Sequence, residues 1–146
     1  MKIKQILFFF AGIIGFSFLL NFLWESLHAY SLYEDHVIGS DEYIKMMVHM
    51  SLGDAITIFV IYLFVSTLNK NIFWLKDMNK KTIVLFFIFG LIAAVAAEYW
   101  AVYIKKLWIY NDNMPVLFGI GLSPMVQLSV TGLAAIWIVK RMSSEE

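Results

Sequence analysis

Four long apolar segments constrain the fold of this 146-residue chain more than any other feature of its sequence. Several of them reach the roughly 20 residues that a helix needs to cross the hydrocarbon core of a bilayer. Helices suit that setting because their backbone hydrogen bonds close within the segment. We therefore predict an all-α polytopic membrane protein, one domain over 1–146, folded as an antiparallel four-helix transmembrane bundle. The predicted spans are residues 5–30, 43–68, 82–104 and 115–139.

The composition supports this class and excludes others. Hydrophobic residues make up 61% of the chain and charged residues 15%, whereas soluble domains average about 45–50% apolar residues. A formal net charge of zero argues against a nucleic-acid partner. The absence of cysteine excludes disulfides, thiolate metal sites and thiol nucleophiles. The first apolar run continues past Leu20 without a small-residue cleavage site, so we interpret it as an uncleaved span, not a signal peptide.

The distribution of basic residues predicts the orientation. Cytoplasmic segments of membrane proteins are enriched in Lys and Arg. Placing both termini and the middle connector in the cytoplasm puts eight basic residues there: Lys2, Lys4, Lys70, Lys76, Lys80, Lys81, Lys140 and Arg141. Only Lys105 and Lys106 then lie on the outer side, with Lys45 near the outer mouth of the second span. We therefore predict cytoplasmic termini and a multi-pass location in the cell membrane.

Polar side chains gather in the outer half of the predicted bundle. Asn21, Glu25 and His28 share one face of the first span, following the i, i+4, i+7 rule. An ionisable group in hydrocarbon costs at least a few kcal/mol, so this face should meet protein or water. Counting along the helices places an upper tier within roughly 9 Å of the outer end and a lower tier roughly 12–18 Å down. The upper tier is Glu25, His28, His49 and Glu98, and the lower tier is Asn21, Asp54 and Gln127, with Ser123 just above Gln127.

The upper tier has three interpretations. Glu25-x-x-His28 has the spacing of the metal motif in di-iron four-helix bundles, so Glu25, His28, His49 and Glu98 are candidate ligands of zinc, iron or manganese. A hydrogen-bonded carboxylate and histidine network without a metal is the structural alternative. A haem held by the two histidines is less favoured, because a haem pocket rarely needs two carboxylates beside it.

Local sequence features predict further details. Gly90, Ala94, Ala97 and Ala101 form a small-residue face that allows close helix packing. Pro115 suits the start of the fourth helix, and Pro124 predicts a kink that frees a carbonyl near Ile120. In the middle connector, residues 72–75 (Ile-Phe-Trp-Leu) are predicted to lie along the membrane surface.

Several of these residues belong to a recurring pattern. The pattern comprises Trp24-Glu25, Gly53-Asp54, the Glu98 and Trp100 pair, Trp108-x-Tyr110-x-x-x-Met114-Pro115 and Gly119-x-Gly121-x-x-Pro124-x-x-Gln127. It resembles a pattern in small four-span membrane proteins of prokaryotes and touches all four spans. The resemblance implies the four-span architecture and a prokaryotic cytoplasmic membrane, and it implies no activity.

The favoured functional hypothesis is an outward-opening polar site that binds or processes a lipid or another lipophilic small molecule. Glu25, Glu98 and Asp54 are the candidate catalytic groups. Glu25 or Glu98 would act as a general base or metal ligand, His28 and His49 as ligands or proton carriers, and Asp54 as an orienting group. The candidate substrate-binding residues are Asn21, Ser123, Gln127, Trp24, Trp100 and Tyr110. One alternative is a transporter or proton relay, which would need a homo-oligomer because four spans are few for a pore. The other is a non-catalytic subunit or assembly factor with a structural polar core.

Overall fold

A computed structural model describes residues 3–34 and 39–143 of the chain; Lys2, which contributes to the predicted orientation, lies outside them. Helix α1 covers Ile3–Leu32, α2 covers Ser40–Leu68 and α3 covers Lys80–Tyr99, continuing as a π-helical turn over Trp100–Lys105. Two short strands, β1 (Val116–Leu117) and β2 (Ile120–Gly121), precede helix α4 at Leu122–Ser143.

The four helices confirm the predicted all-α class. Each one is long enough and apolar enough to cross a membrane. Their outward faces carry large apolar side chains, such as Leu19, Ile56 and Ile92, which are 57–60% exposed. Extended apolar surface of this kind is rare on soluble monomers and marks an interaction surface.

Helices α1 and α2 run in opposite directions. The rings of Phe10 and Phe59 meet near one end of α1 and α2, and Tyr43 donates a hydrogen bond to the carbonyl of Ser26 near the other end. Helices α3 and α4 approach each other closely at Gly90, where an added Cβ would lie 2.9 Å from the Cα of Ser129. Gly90, Ala94 and Ala101 are buried whereas Ala97 is exposed, so three of the four positions of the predicted small-residue face lie inside the bundle.

The connector between α2 and α3 differs from the prediction. Trp74 and Leu75 do not lie on the surface: they are 1% and 0% exposed and close one end of the bundle. Trp74 stacks on Tyr62 with ring centroids 5.0 Å apart, and its Nε1 donates to Ser66 Oγ. The indole can be buried because α2 supplies this partner for its N–H. Trp74 belongs to the hydrophobic core of the bundle, which also contains Phe9, Ile13, Ile58, Ile61, Val65, Phe86, Ala94, Leu128, Ile136 and Val139.

The start of the fourth span was also predicted wrongly. Residues 115–121 form a hairpin instead of a first helical turn, because Phe118 and Gly119 both have positive φ and reverse the chain. Helix α4 begins only at Leu122, whose N–H bonds the carbonyl of Pro115. Pro124 therefore lies in the first turn of α4, where its missing N–H leaves no gap in the hydrogen-bond ladder, and the predicted kink is not needed.

Candidate functional site

Gln127 is the polar centre of the bundle. Its side chain is 3% exposed, and its Nε2 lies 2.7 Å from Glu25 Oε1, 2.9 Å from Asp54 Oδ2 and 3.1 Å from Asn21 Oδ1. These contacts link α4 to α1 and α2. An amide nitrogen carries only two hydrogens, so three oxygen acceptors compete for two N–H donors.

Asn21 forms the deepest layer of this network. It is fully buried, its Nδ2 donates to the carbonyl of Ser17 at 2.8 Å, and its Oδ1 also accepts from Thr131 Oγ1 at 3.1 Å. Thr131 lies one turn after Gln127 on α4, on the same face. The side chains predicted as the lower tier, Asn21, Asp54 and Gln127, are therefore brought together.

A cavity of about 70 Å³ adjoins Gln127. Three carboxyl side chains line it, one from each of the first three helices: Glu25, Asp54 and Glu98. A second cavity of about 40 Å³ shares Glu25 and Glu98 with the first. The lining of the two cavities also includes Tyr33, Met46, Met47, Met50, Trp108 and Leu128. Together they form an acidic space rimmed by aromatic and methionine side chains.

Glu98 is held by the segment that follows α3. The carboxylate is 8% exposed, and its Oε2 accepts hydrogen bonds from Tyr110 OH at 2.5 Å and Trp108 Nε1 at 3.4 Å. Burial, and next the hydrogen bond to Glu98, raise the pKa of the Tyr110 phenol. Burial and the nearby charge of Glu98 likewise raise the pKa of Tyr33. Both phenols therefore remain protonated at neutral pH.

The same segment is tied to the end of α1. The N–H of Asn111 bonds the carbonyl of Leu32 at 3.0 Å, and the N–H of Glu34 bonds the carbonyl of Ile109 at 2.9 Å. Asn111 Nδ2 adds a bond to the carbonyl of Ser31. These bonds fix Trp108 and Tyr110 over the cavity. We call this segment, residues 106–115, the cover of the cavity.

The four predicted metal ligands are not brought together. The Nε2 atom of His28 lies 2.7 Å from Ser123 Oγ, and the imidazole ring packs edge-on against Trp24. His49 is exposed on α2. It lies five residues before Asp54, so its side chain is rotated about the helix axis by about 140° from that of Asp54, away from the cavity. Within residues 3–34 and 39–143, no group of three or more His, Asp or Glu side chains is arranged to hold a metal ion. The two histidines likewise face different surroundings, which does not fit a shared haem.

The remaining predicted site residues divide between the cavity and the surface. Trp24 and His28 line an apolar groove between α1 and α4, outside the acidic cavity. Trp100 is 48% exposed, with Lys105 Nζ 5.5 Å from its ring centroid. Met50 and Thr131 were not predicted as site residues. Each lies one helical turn from a residue that was: Met50 four residues before Asp54, and Thr131 four residues after Gln127. Helical spacing was the signal that could have found them.

No family model matches this chain, and no curated protein or solved structure is detectably similar to it.

Proposed function

We propose that this chain is an integral membrane protein with cytoplasmic termini, whose outer-half cavity binds a small lipophilic molecule carrying a protonated amine. The observation that carries the proposal is the convergence of Glu25, Asp54 and Glu98, from three different helices, on one cavity beside Gln127. Carboxyl oxygens around a cavity are complementary to a ligand that brings N–H donors.

The charge of the lining favours a cationic ligand over an anionic one. Among the described residues, the cavity wall contains carboxyl groups but no Lys or Arg side chain. In a site walled by helices, a carboxylate interacts more strongly with an ammonium than it would in water. Trp108 and Tyr33 add aromatic faces, which attract cations.

The size of the cavity limits the ligand. A space of about 70 Å³ holds several water molecules or one small polar group, but not an acyl chain. Met46, Met47 and Met50 line the adjoining space, and their flexible thioethers can adapt to an alkyl group of variable shape. A short alkylamine fits this combination, and a whole phospholipid does not.

The test is a binding measurement on protein reconstituted in lipid nanodiscs. n-Butylammonium is titrated by calorimetry and by its effect on thermal unfolding, with n-butanol as the neutral control of similar length and empty nanodiscs as the blank. We expect the amine to raise the Tm and the alcohol to leave it unchanged. Equal effects of amine and alcohol, or no effect of either, would contradict the proposal.

Asp54→Asn is the matched variant for this experiment. The substituted amide keeps an oxygen acceptor for Gln127 Nε2 but removes the carboxylate. We expect Asp54→Asn to lose most of the amine-dependent Tm shift while the ligand-free Tm stays close to that of the wild type. Glu98→Gln should act in the same direction.

A structural polar core is the second candidate, and one observation favours it. Gln127 hydrogen-bonds side chains of both α1 and α2, so it could serve only to hold three helices in register. In that case Asp54→Asn and Glu98→Gln would change the ligand-free Tm, and the amine would have no specific effect.

A further inference from the structure

The tip of the hairpin before α4 is an apolar projection. Phe118 is 95% exposed, and the flanking Val116 and Leu117 are 53% and 46% exposed. Phe118 also has a φ of +51°, a conformation that is strained for an aromatic L-residue. A phenyl ring that the protein leaves almost fully exposed, on a strained backbone, is more stable in an apolar environment than in water.

The hairpin is attached to the outward face of α3. Tyr103 OH donates to the carbonyl of Gly119 at 2.8 Å, and its ring packs on Tyr99 with centroids 5.3 Å apart. Tyr99 in turn borders an apolar surface hollow shared with Leu91, Ile92, Val95 and Ala96. The hairpin turn thus continues the exposed apolar stripe of α3 beyond the helix.

Counting along α3 gives the depth of this contact. The span Lys80–Lys105 has 26 residues and is therefore about 39 Å long. The hydrocarbon core is about 30 Å thick, so roughly three residues extend beyond it at each end. Tyr103 then lies at the boundary between acyl chains and head groups, where Tyr side chains are enriched, and the hairpin turn lies beside it.

We infer that Phe118 and Leu117 insert into the outer interface of the bilayer as an apolar anchor for the cavity's cover. This inference rests on the proposed membrane placement of α3. The occupant of the exposed surface is lipid, because the surface is continuous with the apolar stripe of the helix below. The hairpin is hydrogen-bonded to Tyr103, and Pro115 joins it to the segment that carries Trp108 and Tyr110. The anchor would therefore hold that segment at a fixed depth in the membrane.

The absence of cysteine from the chain allows a clean test with site-directed spin labels. Phe118→Cys is labelled with a nitroxide and reconstituted in phosphatidylcholine vesicles. Collision rates are measured with oxygen, which concentrates in the bilayer, and with a water-soluble nickel chelate. Ile92→Cys, on the exposed stripe, and Asp112→Cys, on an exposed part of the cover, are the lipid and water controls.

We expect the oxygen-to-nickel ratio at position 118 to exceed that at position 112 and to approach that at position 92. A ratio at position 118 equal to that at position 112, with position 92 still lipid-like, would overturn the anchor and leave the proposed span intact. That outcome would instead point to an aqueous protein partner for the tip. If position 92 also behaved as water-exposed, the membrane placement itself would be wrong.

Discussion

Gln127 Nε2 and Glu25 Oε1 lie 2.7 Å apart, and this hydrogen bond joins the beginning of α4 to the C-terminal half of α1. The same nitrogen serves Asp54 on α2. A single amide therefore provides donors to two carboxyl groups on different helices. The stability of the bundle and the shape of its cavity should both depend on this one side chain.

Gln127→Met tests that dependence. Methionine has a similar length but no N–H donor, so Glu25 and Asp54 lose a shared partner, and a lost hydrogen bond costs about 0.5–1.5 kcal/mol. We expect a lower Tm in detergent or nanodiscs, measured by circular dichroism. Val130→Leu, on the exposed face of the same helix, is the control and should have little effect. A Gln127→Met protein as stable as the wild type would contradict this dependence on Gln127.

Tyr110→Phe should change how stability depends on alkaline pH. Burial and the bond to Glu98 raise the pKa of Tyr110 above its usual 10.0, so the folded state holds this proton more tightly than the unfolded state. The resulting stabilisation is fully present below pH 10 and is lost as the pH rises through the higher folded-state pKa. We expect the variant to be about 1 kcal/mol less stable at pH 8, with the difference shrinking above pH 10. Denaturation curves of both proteins across this range give the measurement, and a constant difference would contradict the assignment.

Gly90→Ala should separate α3 from α4. The added Cβ would meet the Ser129 Cα at 2.9 Å, and because that atom is backbone, relief requires movement of a helix. Overpacking of this kind costs about 1–3 kcal/mol. Gly53→Ala is the matched control, since nothing lies within 4 Å of its added Cβ, and better helix propensity should leave it neutral or more stable. Similar Tm changes for the two variants would contradict the close approach.

Features set by periodicity along one helix were predictable from the sequence. The helices, the small-residue face and the grouping of Asn21, Asp54 and Gln127 all follow from repeat spacing and depth. The direction in which a side chain points around its helix axis was harder to predict from the sequence, because depth along the helix does not show which way His49 faces. Depth alone therefore predicts His49 beside Glu25 and Glu98, whereas the structure exposes it on α2.

Features set by long-range contacts were missed. A connector rich in aromatic residues between two spans is typical of a membrane surface segment, but Trp74 finds a buried acceptor on α2 that is 8 residues away in the sequence. Likewise, a proline before an apolar run suggests a helix start. The positive φ of Phe118 could not be predicted, because a phenylalanine gives no indication of that backbone conformation. Gly119 and Gly121 are typical of a turn, and they were the available hint that the chain reverses there.

Trp74→Ala is the sharpest test of the closed end of the bundle. The side chain is 1% exposed and packs on Tyr62 and Phe86, so truncation leaves a large cavity and should cost about 3–5 kcal/mol. Trp74→Phe keeps much of the packing but loses the N–H that bonds Ser66 Oγ, and it should cost less than the alanine variant. Ile72→Ala, two residues earlier and 42% exposed, is the control. If residues 72–75 instead lay on the membrane surface, Trp74→Ala and Ile72→Ala would lower the Tm by the same small amount.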